Sequence, residues 1–164
     1  MQASSGPDAG LWRFLYRTDE GRIDAGTWRG GAAVLLAVLG LLTLILFFVL
    51  PYAKHDLSKT PLLSISALSA NLYVIVYSFA LILIGICYYN LSAKRWRDIG
   101  RPPALAGLLP FLALLTGAAH WLSWRLGDAV PNALPLIADA CFILAVCWNV
   151  IELGGLIPKR QQRD

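Results

Sequence analysis

Apolar residues in this chain gather into four long blocks, over residues 30–50, 70–92, 104–124 and 133–155, separated by short polar or basic stretches. Lys, Arg, Asp and Glu are missing from the centres of the blocks, with Asp139 the exception. Each block has the roughly 20 residues an α-helix needs to cross a hydrocarbon core about 30 Å thick. The pattern predicts an all-α, polytopic membrane protein with four transmembrane helices in an antiparallel bundle. The connectors leave no room for a soluble domain of independent size. Residues 1–29 then form an N-terminal segment, 30–155 the membrane domain and 156–164 a basic tail.

Ahead of the first block lies Leu11-Trp12-Arg13-Phe14-Leu15-Tyr16-Arg17. Leu11, Phe14 and Leu15 share one helical face, Trp12 and Tyr16 widen it, and Arg13 and Arg17 stack on the other side. This predicts a short helix lying in the headgroup layer. Trp12, Tyr16 and Trp28 at this end, and Trp121 and Trp124 at the far end of the third block, read as interfacial anchors. Gly21 allows a turn, and Asp24 is placed to cap the first spanning helix. Residues 1–29 are polar and charged rather than leader-like, so the first span is expected to remain as a signal anchor. Gly26 and Gly30 form a small-xxx-small pair that favours close helix packing. Pro61 is placed to open a helix in the first external connector, residues 51–69. Pro110, inside the third block, predicts a kink.

Charge changes this picture by giving it a direction. Of the 14 Lys and Arg residues, Arg13, Arg17, Arg22 and Arg29 precede the first span, Lys94, Arg95, Arg97 and Arg101 lie in the second connector, and Lys159, Arg160 and Arg163 close the chain. Only Lys54, Lys59 and Arg125 fall on the other side. By the positive-inside rule both termini are cytoplasmic. The net charge of +4 therefore follows membrane topology, and no aromatic-rich basic face suited to nucleic acid accompanies it. At 57% hydrophobic and 15% charged residues, the composition agrees.

The connector after the second block carries the densest local cluster. A second helix continued to about Ile99 places Arg95 and Asp98, and Asp98 and Arg101, three residues apart, with Lys94 four before Asp98. One carboxylate can then meet several cations and lock the turn against the N-terminal segment; a solvated basic turn that only sets topology is the plainer alternative. Gly100 suits a left-handed helix end, and Pro102 and Pro103 stop continuation. Arg22 belongs to the same candidate charge cluster.

Within the membrane, Asp139 costs on the order of 2–3 kcal/mol unless protonated, paired or facing water. Counting ~1.5 Å per residue from the third connector, His120 reaches a similar depth. These two helices are antiparallel neighbours, so a His120–Asp139 hydrogen bond is expected, with Arg125 the alternative partner. It reads either as a clamp between helices or as a proton or cation site. Asn90, Asn149 and Glu152 group near the basic ends of the second and fourth spans, within reach of Lys94 or Arg95. Cys87, Cys141 and Cys147 all fall in spans and read as small packing residues. The two histidines, His55 and His120, make no metal or haem set, and neither nucleophile motifs nor phosphate-cradling glycine loops occur. No metal, no cofactor and no enzymatic reaction are expected.

Arg95-Trp96-Arg97-Asp98-Ile99-Gly100-Arg101 resembles the Arg-Leu-His-Asp-x-Gly-Arg core of the DUF805 family of small bacterial inner-membrane proteins. Gly21-Arg22-Ile23, with Trp28 beyond it, is similar to that family's Gly-Arg entry motif, and Ile151-Glu152-Leu153 to the exit of its last helix. Arg97 stands where the family has His, Ala25 where it has a second entry Arg, and Pro158-Lys159-Arg160 where it has an Asn-Arg-Tyr-Gly tail. The resemblance implies a four-span fold and a bacterial cytoplasmic membrane, and names no activity.

The leading expectation is a non-enzymatic accessory or scaffold subunit that packs against itself or a larger membrane complex. A small transporter or channel component using Asp139 and His120 is the first alternative. The second is a protein that binds anionic lipid through its cytoplasmic cations, Arg95 and Arg97 among them.

Overall fold

The computed structural model describes residues 7–53, 65–126, 131 and 133–156. These form five α-helices: α1 Pro7–Arg17, α2 Ala25–Ala53, α3 Ile65–Asp98, α4 Leu108–Leu126 and α5 Ala133–Leu153. A 3-10 turn, Pro103–Gly107, leads into α4. No strand occurs among the described residues. Helices α2, α3, α5 and the segment Pro103–Ser123 are long and apolar enough to cross a membrane. The fold is an all-α, polytopic helical bundle. One end carries the α1–α2 turn, the end of α3 and the end of α5, and is called here the basic end.

The helix limits have local causes. Helix α2 begins at Ala25, ahead of the expected 30, because Asp24 caps it. The Asp24 carboxylate accepts from the Gly26 amide at 2.9 Å, from the Thr27 amide at 3.4 Å and from the Thr27 hydroxyl. Together these bonds hold its carboxyl below the usual carboxylate range, the Thr27 bond contributing most. Helix α3 overshoots its apolar block on both sides and ends in a Schellman motif. There the Arg101 amide donates to the Trp96 carbonyl at 2.9 Å and the Gly100 amide to the Arg97 carbonyl at 3.1 Å. Gly100 takes the left-handed φ of 74° that this closure requires. The kink expected at Pro110 does not arise. Helix α4 starts at Leu108, so Pro110 is its third residue, where no intrahelical partner awaits an N–H. The helix expected to open at Pro61 lies outside the described residues.

Each spanning helix buries one narrow seam. On α2 the seam runs through Trp28, Ala32, Leu35, Leu39, Leu42, Leu46 and Val49, all partly or fully buried, in alternating steps of four and three. On α3 the matching seam includes Ala67, Ala70, Val74, Tyr77, Ile84, Tyr88 and Leu91. Leu109, Leu112, Thr116, Ala119 and Ser123 of α4 meet Pro135, Ala138, Phe142, Ala145 and Asn149 of α5 by the same rule. This 3–4 spacing is the seam of left-handed helix pairs. The bundle is accordingly two antiparallel hairpins, α2/α3 and α4/α5. Within the hairpins contact is extensive, whereas α3 touches α4 and α5 sparingly. Tyr73 donates to the Leu42 carbonyl at 2.7 Å, and Thr43 and Tyr77 share a hydrogen bond of 2.9 Å across the first hairpin.

The densest packing lies at the basic end. Leu15, Ile23, Trp28, Leu91, Ala93, Trp96, Ala106 and Leu153 form one buried cluster that draws on α1, α2, α3, the 3-10 turn and α5. The two hairpins join here.

Candidate functional site

The last two turns of α3 carry a row of polar side chains, and each reaches a different element. Lys94 is fully buried. Its ammonium donates to the carbonyl of Leu15 at 3.1 Å, to that of Thr18, and to its own helix at the Asn90 carbonyl at 3.3 Å. It also sits 5.0 Å from the centre of the Phe14 ring. Asn90, one turn earlier, donates to the Tyr16 carbonyl at 2.8 Å. Two of the carbonyls that α1 leaves unpaired at its C-terminus, those of Leu15 and Tyr16, are thus satisfied by α3, and a cation stands at the negative pole of the α1 dipole. Arg97 extends the grip past the helix, binding both the carbonyl and the carboxylate of Asp19. That guanidinium holds the Asp19 carboxyl below the ordinary carboxylate range.

Arg95 serves α5 in the same way. Its Nε donates to the Leu153 carbonyl at 3.0 Å, and its guanidinium pairs with Asp98. Helix α5 ends at Leu153, and the turn that closes it passes through Gly155, whose φ is 64°. A Cβ at that residue would lie 3.1 Å from the Ala25 Cβ, so the end of α5 abuts the start of α2. Arg101 pairs with Glu152 at 3.0 Å and lies over the Trp96 ring. Trp96 in turn packs on Trp148, with ring centres 5.1 Å apart. Tyr88 donates to the Asn149 side chain at 3.3 Å. Trp96 Nε1 is the one buried side-chain polar atom without a hydrogen-bond partner among the described residues.

Of the expected cluster of Arg22, Lys94, Arg95, Arg97, Asp98 and Arg101, the ion pairs among the described residues join only Arg95 and Asp98 to each other. Asp98 binds Arg95 alone. Lys94 turns away from it to the α1 carbonyls, Arg97 goes to Asp19, Arg101 to Glu152, and Arg22 stays exposed. Trp28 is not an interfacial anchor. It is only 4% exposed and donates from its indole to Ser92 at 3.2 Å. Tyr16 is half-buried, with its hydroxyl donating to the Gly31 carbonyl at 3.0 Å, whereas Trp12 and Trp121 are exposed, as anchors would be. The Trp124 side chain lies outside the described residues.

The small-residue contact falls at Gly31 rather than at Gly26 or Gly30. A Cβ at Gly31 would stand 2.9 Å from the Leu91 side chain and 3.4 Å from the Tyr16 hydroxyl. One at Gly30 would meet nothing within 4 Å, and one at Gly26 would meet only Asp24. No sequence pattern distinguished Gly31. A usable signal for the α1 clasp was Asn90 and Lys94 at i, i+4, two long polar donors on one face just past an apolar block.

In the other half of the molecule, His120 Nε2 lies 3.0 and 3.1 Å from the two carboxylate oxygens of Asp139. Thr116, one turn before His120, donates to the Ala138 carbonyl at 3.2 Å. His120 is six residues from the end of α4, and Asp139 six from the start of α5. At 1.5 Å per residue, the pair sits about 9 Å inside the far end of the hairpin. It is not sealed: the side chains are 56% and 40% exposed. Among the described residues no group of three or more His, Cys, Asp or Glu converges as a metal site.

Four helices long and apolar enough to cross a bilayer define a multi-pass integral membrane protein. Comparison with protein-family models, with curated proteins and with solved structures found no match to this chain.

Proposed function

We propose that the protein is a non-enzymatic accessory or scaffold subunit whose α4/α5 hairpin packs against another membrane protein or a second copy. The observation that carries this reading is the half-exposed His120–Asp139 pair. Exposed Leu, Ile and Phe along the spans need no partner, because lipid tails satisfy them as well as protein does. A carboxylate and an imidazole facing hydrocarbon are different. Their lone pairs and donors gain from a polar group on a neighbouring helix, and such intramembrane hydrogen bonds contribute on the order of 1 kcal/mol. Gly117, three residues before His120, has open space over its Cα and leaves a neighbour room to approach.

The charge distribution supports a bacterial cytoplasmic membrane as the location, with the basic end inside. Kinship with the DUF805 family is supported by the Arg95–Arg101 block alone.

The test is blue-native electrophoresis and mild-detergent purification of wild type, Asp139→Leu and His120→Leu. The 17.9 kDa chain is expected in a species larger than its monomer, with either substitution releasing monomer by roughly tenfold in apparent dissociation constant, the equivalent of 1.4 kcal/mol. A wild type that is monomeric at all detergent levels refutes the reading. Proton- or cation-driven flux in proteoliposomes, abolished by Asp139→Asn, would establish transport in its place.

A further inference from the structure

The arginines of the basic end divide into two groups. Those of α3 are occupied: Arg95 by Leu153 and Asp98, Arg97 by Asp19, and Arg101's partner is Glu152. Those of the N-terminal segment, Arg13, Arg17, Arg22 and Arg29, are exposed and make no hydrogen bond or ion pair with the described residues. Among residues 10–29, Asp19 is already engaged with Arg97 and Asp24 with the first turn of α2, and Glu20 is the one acidic side chain left over. Four guanidinium groups without an ion-pair partner thus stand on one short stretch of chain, against one free carboxylate.

That stretch is held in place. Trp12 stacks on Tyr16 with ring centres 5.4 Å apart, and Tyr16 is bonded to Gly31, so α1 lies against the membrane entry of α2. Lys94 and Asn90 hold the same C-terminal end of α1 from the side of α3. Leu11, Trp12 and Phe14 remain exposed beside the arginines. Apolar side chains next to unpaired cations at a membrane entry match both halves of an acidic lipid, its acyl chain and its phosphate. Ordering them in advance lowers the entropy lost on binding.

We propose that α1 and the first two turns of α2 form a binding shelf for an anionic phospholipid, with Arg13, Arg17, Arg22 and Arg29 around the headgroup phosphate and Trp12 beside the acyl chain. The shelf depends on the helices crossing a membrane and not on the scaffold role, so it stands or falls separately. It also moves the lipid contact from Arg95 and Arg97 to the N-terminal arginines.

Native mass spectrometry of the full chain in mild detergent, with phosphatidylglycerol and phosphatidylcholine of equal chain length, tests this. Wild type retains phosphatidylglycerol over phosphatidylcholine by about fivefold or more, given the additive attraction of each cation. The Arg13→Gln/Arg17→Gln/Arg22→Gln/Arg29→Gln variant falls to near parity. Arg17→Gln/Arg22→Gln, a milder change, loses about half the preference, and Arg101→Gln, whose cation is already paired, keeps it. Parity in wild type, or an unchanged preference in the fourfold variant, overturns the proposal. So does displacement of the lipid by millimolar inorganic phosphate with no effect of Trp12→Ala, which would mark a plain anion site.

Discussion

Replacing Lys94 with Met asks what holds α1 to the bundle. Met keeps most of the length and volume of the lysine stem but has no donors. Three carbonyls lose a partner, those of Leu15, Thr18 and Asn90. The Asn90 bond lies within α3 and survives undocking, so only the first two hold α1. A hydrogen bond with a charged donor contributes about 1.5–3 kcal/mol net. The low end applies to each, since burying the ammonium offsets part of the gain. Docking of α1 is thus weakened by about 3 kcal/mol, which is roughly a hundredfold in the equilibrium between docked and free α1. Leu15 burial, the Asn90 bond to Tyr16 and the Tyr16 bond to Gly31 remain. The loss is therefore local, because the freed carbonyls hydrate when α1 lifts off. Amide hydrogen exchange in nanodiscs reads this directly. In Lys94→Met, protection over residues 10–20 falls by about two orders of magnitude and trypsin cleaves faster at Arg13 and Arg17, while α2, α4 and α5 keep their protection. If α1 protection in the variant stays within about threefold of wild type, apolar contact alone holds the helix and the capping argument is wrong.

Two further outcomes follow from the same junction. Gly31→Ala, whose Cβ would press on Leu91 and Tyr16, lowers thermal stability in detergent by about 1–3 kcal/mol, whereas Gly30→Ala, with open space above it, leaves the melting curve within a degree or two. The Asp19–Arg97 contact gives α1 docking a pH dependence. Because the folded-state carboxyl titrates below its free value, its contribution is complete above about pH 4 and fades as pH falls through the depressed value. Exchange of α1 amides, corrected for intrinsic rate, therefore accelerates below pH 4 in wild type. Asp19→Asn loses that component and keeps only what Asp24 contributes at the start of α2; an identical profile in the two proteins would remove Asp19 from the clasp.

What the sequence revealed and what it hid divide along physical lines. The spans were legible because crossing a bilayer sets a minimum helix length, which four long apolar blocks with a single charged residue near their centres all meet. The Asp24 cap and the end of α3 at Gly100 were legible because local chain geometry produces both. The pairing of His120 with Asp139 followed from counting residues on two antiparallel helices joined by a short connector. The wiring of the junction was hidden because its acceptors are backbone carbonyls, which every residue carries and no residue type advertises. Lys94 next to Asp98 by helical spacing was the visible option, and the unpaired end of α1 was the better one. Trp28 was misread because indoles at a membrane edge and indoles in a core share the same sequence context; only the distant Ser92 separates them. Gly31 was missed by one residue, which on a helix is a rotation of about 100° and a different face.

The uneven packing of the molecule has one cause in the two solvents it meets. At the basic end, apolar groups left uncovered would face water, and there the chain buries Leu15, Trp28, Leu91, Trp96 and Leu153 in one cluster. Each such side chain gains about 1.5–3 kcal/mol from burial. Along the spans lipid removes that incentive, and the helices keep only one seam each, with none of the most apolar window of α2 buried. Apolar exposure in the membrane half is therefore the expected result of placing these helices in hydrocarbon and says nothing about partners. Polar exposure there obeys the opposite rule, since lipid offers a carboxylate or an imidazole nothing to bond. In a protein that satisfies nearly every buried polar atom at its basic end, leaving His120 and Asp139 half-uncovered among acyl chains would be inconsistent. In the proposed accessory role, a neighbouring membrane helix at the α4/α5 hairpin would restore the consistency.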